Sequence, residues 1–350
     1  TTPGGLRFDS MNPNRLIDAA LEKSDYDGFD DRARISATAG AIRGRAAIYY
    51  MERTGGAPFE NTRVELGTDG TATIYIGTQS TGQGHETTWP QIITETLGLN
   101  FDDISVAEGD SDLLKAGGGT GGSRSAIMAS IVLKRASEDI VEQALPTAAE
   151  ELEAAVEDVE FQPNHGAFEI VGTDKRVTLK TIAEKMGGLV GIGEVNERLG
   201  SFPNGCHVAE VEIDCETGAL KLDRYTLMDD FGVIVNPLVA GGQAQGGVVQ
   251  GAGQAMMEQA IYDSETGQPL TGSFMDYAMP RAADFPALEP NFVEIPCTTN
   301  PFGVKGCGEA GTVAAIPAVT LAVHDALSRA GGELIQSPFT PDRLWRALNS

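Results

Sequence analysis

Three glycine-rich runs, each leading into residues with helical apolar spacing, constrain this chain more than any other feature. They cover residues 77–88, 117–125 and 303–311. Glycine admits positive φ and lets a ligand approach the main chain, and the helix start beyond each run presents unpaired N–H groups. Such turns suit a large anionic ligand, because backbone N–H groups bind phosphate without help from side chains. In the last run Glu309 is a lone carboxylate among glycines, so backbone and not neighbouring bulk would hold it. It is the first candidate for a catalytic group; the bland alternative is a solvated glutamate in an ordinary glycine-rich connection.

Competing motifs fail on detail. The run 117–125 lacks the Gly-Lys-Ser/Thr ending of a nucleotide P-loop. Gly251-Ala252-Gly253 is an incomplete dinucleotide fingerprint inside a helical segment. His85-Glu86 opens like a metalloprotease motif, but Trp89 stands where the second histidine would be. His165, His207 and His324 have no partner spacing and read as packing or surface residues. Cys307, two residues before Glu309, reads as a small buried thiol.

Strand-like segments occur at 46–51, 62–66 and 71–76, the last pair joined by the hairpin signal Thr68-Asp69-Gly70. A helix is expected at 85–97, a strand at 104–108 and a second helix at 126–145, after an earlier helix at 14–22. The acidic stretch 148–160 reads as a solvated helix face. Strands return at 205–214 and 219–228; helices follow at 241–259, after Pro317, and at 341–348. Without a regular βαβ cadence, this order predicts an α+β architecture of two mixed lobes, 1–165 and 166–350.

The formal net charge of −25 argues against nucleic acid as a partner, since phosphate neutralisation needs clustered Lys and Arg. No apolar run is read as approaching the ~20 residues that span a bilayer, and no basic or apolar leader precedes the first helix. Cys206, Cys215, Cys297 and Cys307 form no C-x-x-C pair, so no zinc or iron–sulfur site is legible, and free thiols in a reducing cytoplasm are expected.

The runs 77–88 and 303–311 together resemble the molybdenum hydroxylases, the xanthine dehydrogenase and aerobic carbon monoxide dehydrogenase family. The runs 117–125, 241–258 and 271–277 fit the same pattern in the same order. The resemblance implies the C-terminal half of the molybdopterin-binding large subunit, with Glu309 as the base beside molybdenum and Gly308 next to it. It puts Gln83 and Gly84 at the pterin end, with His85 close by. Gly121, Gly122, Ser123, Arg124 and Ser125 would line the cofactor, Arg124 as the one cation there, and Gln243 would be a second pterin contact. The implied cofactor is molybdopterin in its cytosine dinucleotide form, whose dithiolene holds the metal, so no protein metal ligand is expected.

The activity implied is hydroxylation of an electron-poor carbon, in an N-heterocycle, an aldehyde or a similar small molecule, with water as the oxygen source. Oxidation of carbon monoxide is the alternative within the family, and a non-catalytic pterin-fold scaffold is the alternative outside it. Electrons would leave through partner subunits carrying 2Fe-2S clusters and FAD. The absence of an initiator methionine and of a first pterin loop implies an N-terminal half, present as a separate or cleaved chain.

Overall fold

The structure, a computed structural model, describes residue 5 and residues 8–114 and 116–350. α1 (Pro13–Lys23) opens on Asn12, whose side chain accepts from Arg15 N, and carries proline in its first turn, where a missing N–H costs nothing. α2 (Phe29–Thr38) buries Phe29 and leads into β1 (Ala41–Met51). β2 (Phe59–Leu66) and β3 (Ala72–Ile76) form an antiparallel hairpin whose burial alternates with period two. α3 (His85–Leu97) then crosses over to β4 (Ile104–Ala107), which pairs parallel with β3. The first glycine run therefore sits at the carboxyl end of a strand in a β3–α3–β4 unit, where α/β folds place their ligands.

α4 (Ser125–Glu151) is long and mostly buried. β5 (Val159–Gln162), β6 (Ala167–Ile170) and β7 (Arg176–Thr178) make a small antiparallel sheet. α5 (Leu179–Met186) follows, and β8 (Leu189–Asn196) returns to pair with β2, giving the sheet order β4-β3-β2-β8. β9 (Asn204–Asp214) and β10 (Leu220–Asp230) complete a second sheet. After α6 (Pro237–Met256), β11 (Pro290–Phe292) adds to its edge, in the order β1-β9-β10-β11. α7 (Ala310–Ala330) and α8 (Pro341–Leu348) close the chain.

β9 is buried almost throughout because both faces of its sheet are covered. Val211 and Leu227 pack with α6 and α7 residues such as Val248 and Val319, while Val208 and Met228 pack with Leu16 and Ala20 of α1.

Strand pairing overturns the division at 165/166. β8 belongs with β2, and β1 runs antiparallel to β9 along its whole length. The first lobe is the central part of the chain, roughly residues 55–200, and the second is built from the segments on either side of it.

The acidic stretch 148–160 is also not one helix face: α4 ends at Glu151, and Val159 and Phe161 enter β5 opposite Ile170 and Phe168. There pairing with the next strand, β6, outweighs the local charge pattern. α7 begins at Ala310 and runs through Pro317, since packing on the second sheet offsets one missing backbone hydrogen bond. By length and composition α7 is also long and apolar enough to cross a bilayer, contrary to the sequence reading. Its alanine- and valine-rich face lies in the core of the second lobe.

In both lobes a strand glycine admits helix backbone. A Cβ at Gly44 would lie 2.1 Å from Ala322 O of α7, and one at Gly193 would lie 1.8 Å from Val132 O of α4. Gly44→Ala or Gly193→Ala should lower stability by about 1–3 kcal/mol, as overpacking does, read as a lower thermal midpoint. Gly246→Ala in α6, with no heavy atom within 4 Å of the added Cβ, should be neutral or stabilising by up to about 1 kcal/mol.

Candidate active site

The first turns of α3, α4, α6 and α7 line one cavity of about 520 Å³. Each helix start brings N–H groups without intrahelical partners and the positive end of its dipole. Glycines stand where the loops face open space: a Cβ on Gly82 or Gly121 would meet nothing within 4 Å. Free main-chain surface beside convergent helix starts is what a bulky anionic group needs, so these residues fit a pterin carrying phosphate.

The 77–84 loop is braced by Glu108, at the end of β4. Its carboxylate accepts from Thr78 Oγ1 (2.6 Å), Ser80 N (2.7 Å) and Trp89 Nε1 (3.0 Å), and His85 Nδ1 lies 3.1 Å away. Burial alone would raise the pKa of Glu108, but the hydrogen bonds from His85, Thr78 and Trp89 outweigh it and hold the carboxyl below its ordinary value. His85 thus lines the cavity with its ring tied to a carboxylate and packed on Trp89. Gln83 also lines the cavity, yet its amide is engaged by its own loop, donating to Gln79 O and accepting from Thr81 N. Gly84 is not among the lining residues; at φ +79 it seats the loop against Val239 of α6.

Gly121, Gly122, Ser123 and Ser125 reach the cavity, but Arg124 does not. Its guanidinium turns inward to Glu60 Oε2 (2.7 Å), Gly119 O (2.6 Å) and Phe59 O (2.7 Å), and both partners of the ion pair are buried. The expectation of a cation facing the cofactor is therefore corrected. Arginine offers several donors in a rigid fork, and these cross-brace the loop and neutralise a buried glutamate.

Gln243 lies in the second turn of α6 and lines the cavity; no protein hydrogen bond engages its amide among the described residues. α6 begins before residue 241, because Asn236 caps it by accepting from Val239 N, with proline in the first turn. That Asn-Pro pair was a legible helix start. The run 271–277 does not reach the cavity; its Tyr277 donates to Glu258 Oε1 at the surface.

Gly308 and Glu309 line the cavity at the start of α7. A Cβ on Gly306 would fall 1.8 Å from Ser123 O, so glycine there lets the two loops touch. Contact places Ser123 Oγ 3.1 Å from Glu309 Oε2, where it also accepts from Glu309 N at 3.2 Å. The same Oγ lies 2.8 Å from Oε1 of Glu52, a carboxyl just beyond β1 that no local motif singles out. Glu52 is 8% exposed, and among the described residues its Oε2 is buried without a partner. Burial, reinforced by the charge of Glu309 and opposed by the Ser123 hydrogen bond, pushes it up to about 7. Burial likewise pushes the Cys307 thiol up to about 12, which keeps it neutral. Lys305 is also buried, bound to Asp230 and Ser10 O, so its charge too is spent inside the protein.

The sequence pattern of the molybdopterin cofactor-binding domain matches residues 19–286. The chain belongs to that family. The nicotine 6-hydroxylase large subunit of Paenarthrobacter nicotinovorans is 34% identical, over 99% of this chain and 45% of its own length. The carbon monoxide dehydrogenase large chain of Hydrogenophaga pseudoflava is 29% identical, over 99% of this chain and 46% of its own. Among solved structures, quinoline 2-oxidoreductase from Pseudomonas putida 86 superposes with a TM-score of 0.92 at 27% identity, covering 100% of this chain and 47% of that one. This molybdopterin-binding chain spans under half the length of the curated relatives it matches.

The inward role of Arg124 is testable. Arg124→Met leaves Glu60 buried without its cation and should cost about 3–5 kcal/mol. Adding Glu60→Met should recover part of that loss in a double-mutant unfolding cycle, whereas a cofactor-facing arginine would show no such coupling to Glu60.

Proposed function

We propose that this chain is the part of a molybdenum hydroxylase large subunit that supplies the general base and one wall of the pterin site. The observation that carries the reading is Glu309, held at the start of α7 in a cavity framed by the helix starts and by Gln243. When bound, the cofactor supplies the metal that activates water and accepts two electrons. Ser123 engages Oε2 of Glu309, so Oε1 is the oxygen available to take a proton during attack on the substrate carbon. A positioned base contributes about 10²- to 10⁴-fold. Backbone N–H groups of Gly82, Gln83 and the 121–123 turn, together with the Gln243 amide, hold the pterin, and the surplus of helix starts favours a phosphate-bearing form such as the cytosine dinucleotide.

The substrate is a small molecule with an electron-poor carbon, an N-heterocycle or an aldehyde. Likeness to proteins named for nicotine and quinoline supports this. Electrons then pass to partner subunits carrying 2Fe-2S clusters and FAD, in a reducing cytoplasm. An N-terminal half of the large subunit closes the other side of the site. A surface for it is available on the irregular segment after α6, where Phe274 is 77% and Met275 93% exposed beside Tyr262 and Leu270.

In the assembled complex, Glu309→Gln should lower turnover at least about 10²-fold with normal molybdenum content, because the near-isosteric amide cannot take the proton. More than about a tenth of wild-type turnover would contradict the base. Gln243→Ala should instead weaken cofactor retention by about 1–3 kcal/mol, measured as molybdenum per chain after dilution, while turnover per bound metal changes little.

A further inference from the structure

The hydrogen-bond count at Ser123 leads beyond the base itself. A serine hydroxyl has one proton to give and two lone pairs. Three groups surround Ser123 Oγ: Glu309 N at 3.2 Å, Glu309 Oε2 at 3.1 Å and Glu52 Oε1 at 2.8 Å. Glu309 N–H fills one lone pair, and the hydroxyl proton goes to one carboxylate. The other carboxyl makes a hydrogen bond only if it brings its own proton; with both ionised, an oxygen lone pair would face an anionic oxygen. Ser123 is held in this position at φ +54, a conformation L-residues rarely adopt, and such backbone gathers at functional sites.

We infer that Glu52 and Glu309 share a single proton through Ser123 Oγ, and that Glu52 stores it so that Glu309 stays ionised as the base. Glu52 is the better store because it is buried and its Oε2 has no donor among the described residues, which makes its ionised form the costly one. Glu309 instead faces the cavity and helps begin a helix. Among the described residues, the groups turned toward Glu52 from the surrounding elements offer no cation: Ser123 and Glu309, the neutral Cys307 thiol, and Tyr50, whose phenol donates to buried Asp229.

The pair has two regimes. Below about pH 7 Glu52 is neutral and donates to Oγ, and Oγ–H donates to Glu309. Above it Glu52 is an empty acceptor. A proton taken by Glu309 at Oε1 reaches Ser123 once the carboxyl group turns to present that oxygen at the position Oε2 now holds; it then moves to Oγ as the hydroxyl proton moves to Glu52 Oε1. An O–H bond breaks at Glu309 and at Ser123, one forms at Ser123 and at Glu52, and no electrons are exchanged. The sign for stability follows from the raised value: the Glu52 contribution is complete below its ordinary 4.5 and is lost as pH rises through about 7.

This inference rests on Glu309 as base, so its test reads the proton directly. Infrared spectra of the assembled complex across pH should contain a protonated-carboxyl band with a midpoint near 7 that Glu52→Gln removes. With Glu52 intact, Glu309→Gln should move that midpoint down by about one pH unit, as coupled sites do. The wild-type rate profile should carry an inflection at the same pH that both Glu52→Gln and Ser123→Ala abolish. A band that persists in Glu52→Gln, or a midpoint unmoved by Glu309→Gln, overturns the shared proton. If Glu52→Gln fails to assemble, the Glu309→Gln shift still decides. Turnover surviving in Glu309→Gln would sink the base while leaving the infrared result to stand or fall alone.

Discussion

Four helix starts aimed at one cavity set the terms for the rest of this molecule. Each leaves N–H groups that the helix cannot satisfy, and crowding several together is unfavourable without a negative partner. The loops before them cannot be filled with bulk, because the partner must reach the main chain. Glycine density, long helices and two covered sheets thus express one requirement. The helices must be long and well packed because their starts are held in a poor electrostatic arrangement until a phosphate-bearing group arrives.

Carboxylates around this site are managed individually. Glu60 is met by Arg124, Asp230 by Lys305, and Glu108 by hydroxyl, amide, indole and imidazole groups. In each case donors or a cation stand in for the water that burial removes. Glu52 has a serine and a second carboxylate instead, and it rises to about 7. Among the described residues Glu52 has neither a cation nor any donor beyond that one serine, which sets it apart from these neighbours.

Short-range features were legible in the sequence. α3 and α8 fall where apolar spacing and proline put them, because cap and periodicity agree. Gln83, Gly121, Gln243 and Glu309 reach one cavity, since glycine runs and helix starts are local signals. What failed depends on distant partners. β8 alternates cleanly, but nothing local says that it joins β2 across more than a hundred residues. Arg124 stands in a cofactor-lining run, and only Glu60 and the Phe59 carbonyl reveal that it turns inward. Glu52 carries no glycine, histidine or spacing to mark it.

The cluster of Ser123, Glu52 and Glu309 is assembled by contact between lobes. Ser123 belongs to the central lobe, while Glu52 and Glu309 come from segments on either side of it. Two glycine contacts set their separation. At Gly122, with φ +60, a Cβ would lie 1.9 Å from Gly55 O, and Gly306 meets Ser123 O. A methyl group at either place would force the loops apart, and the hydrogen bonds of Ser123 have no slack to absorb that. The proton sharing proposed for this cluster is therefore tied to contact between the lobes: whatever separates them removes the serine from both carboxylates together, leaving Glu309 in place at its helix start but without its link to Glu52.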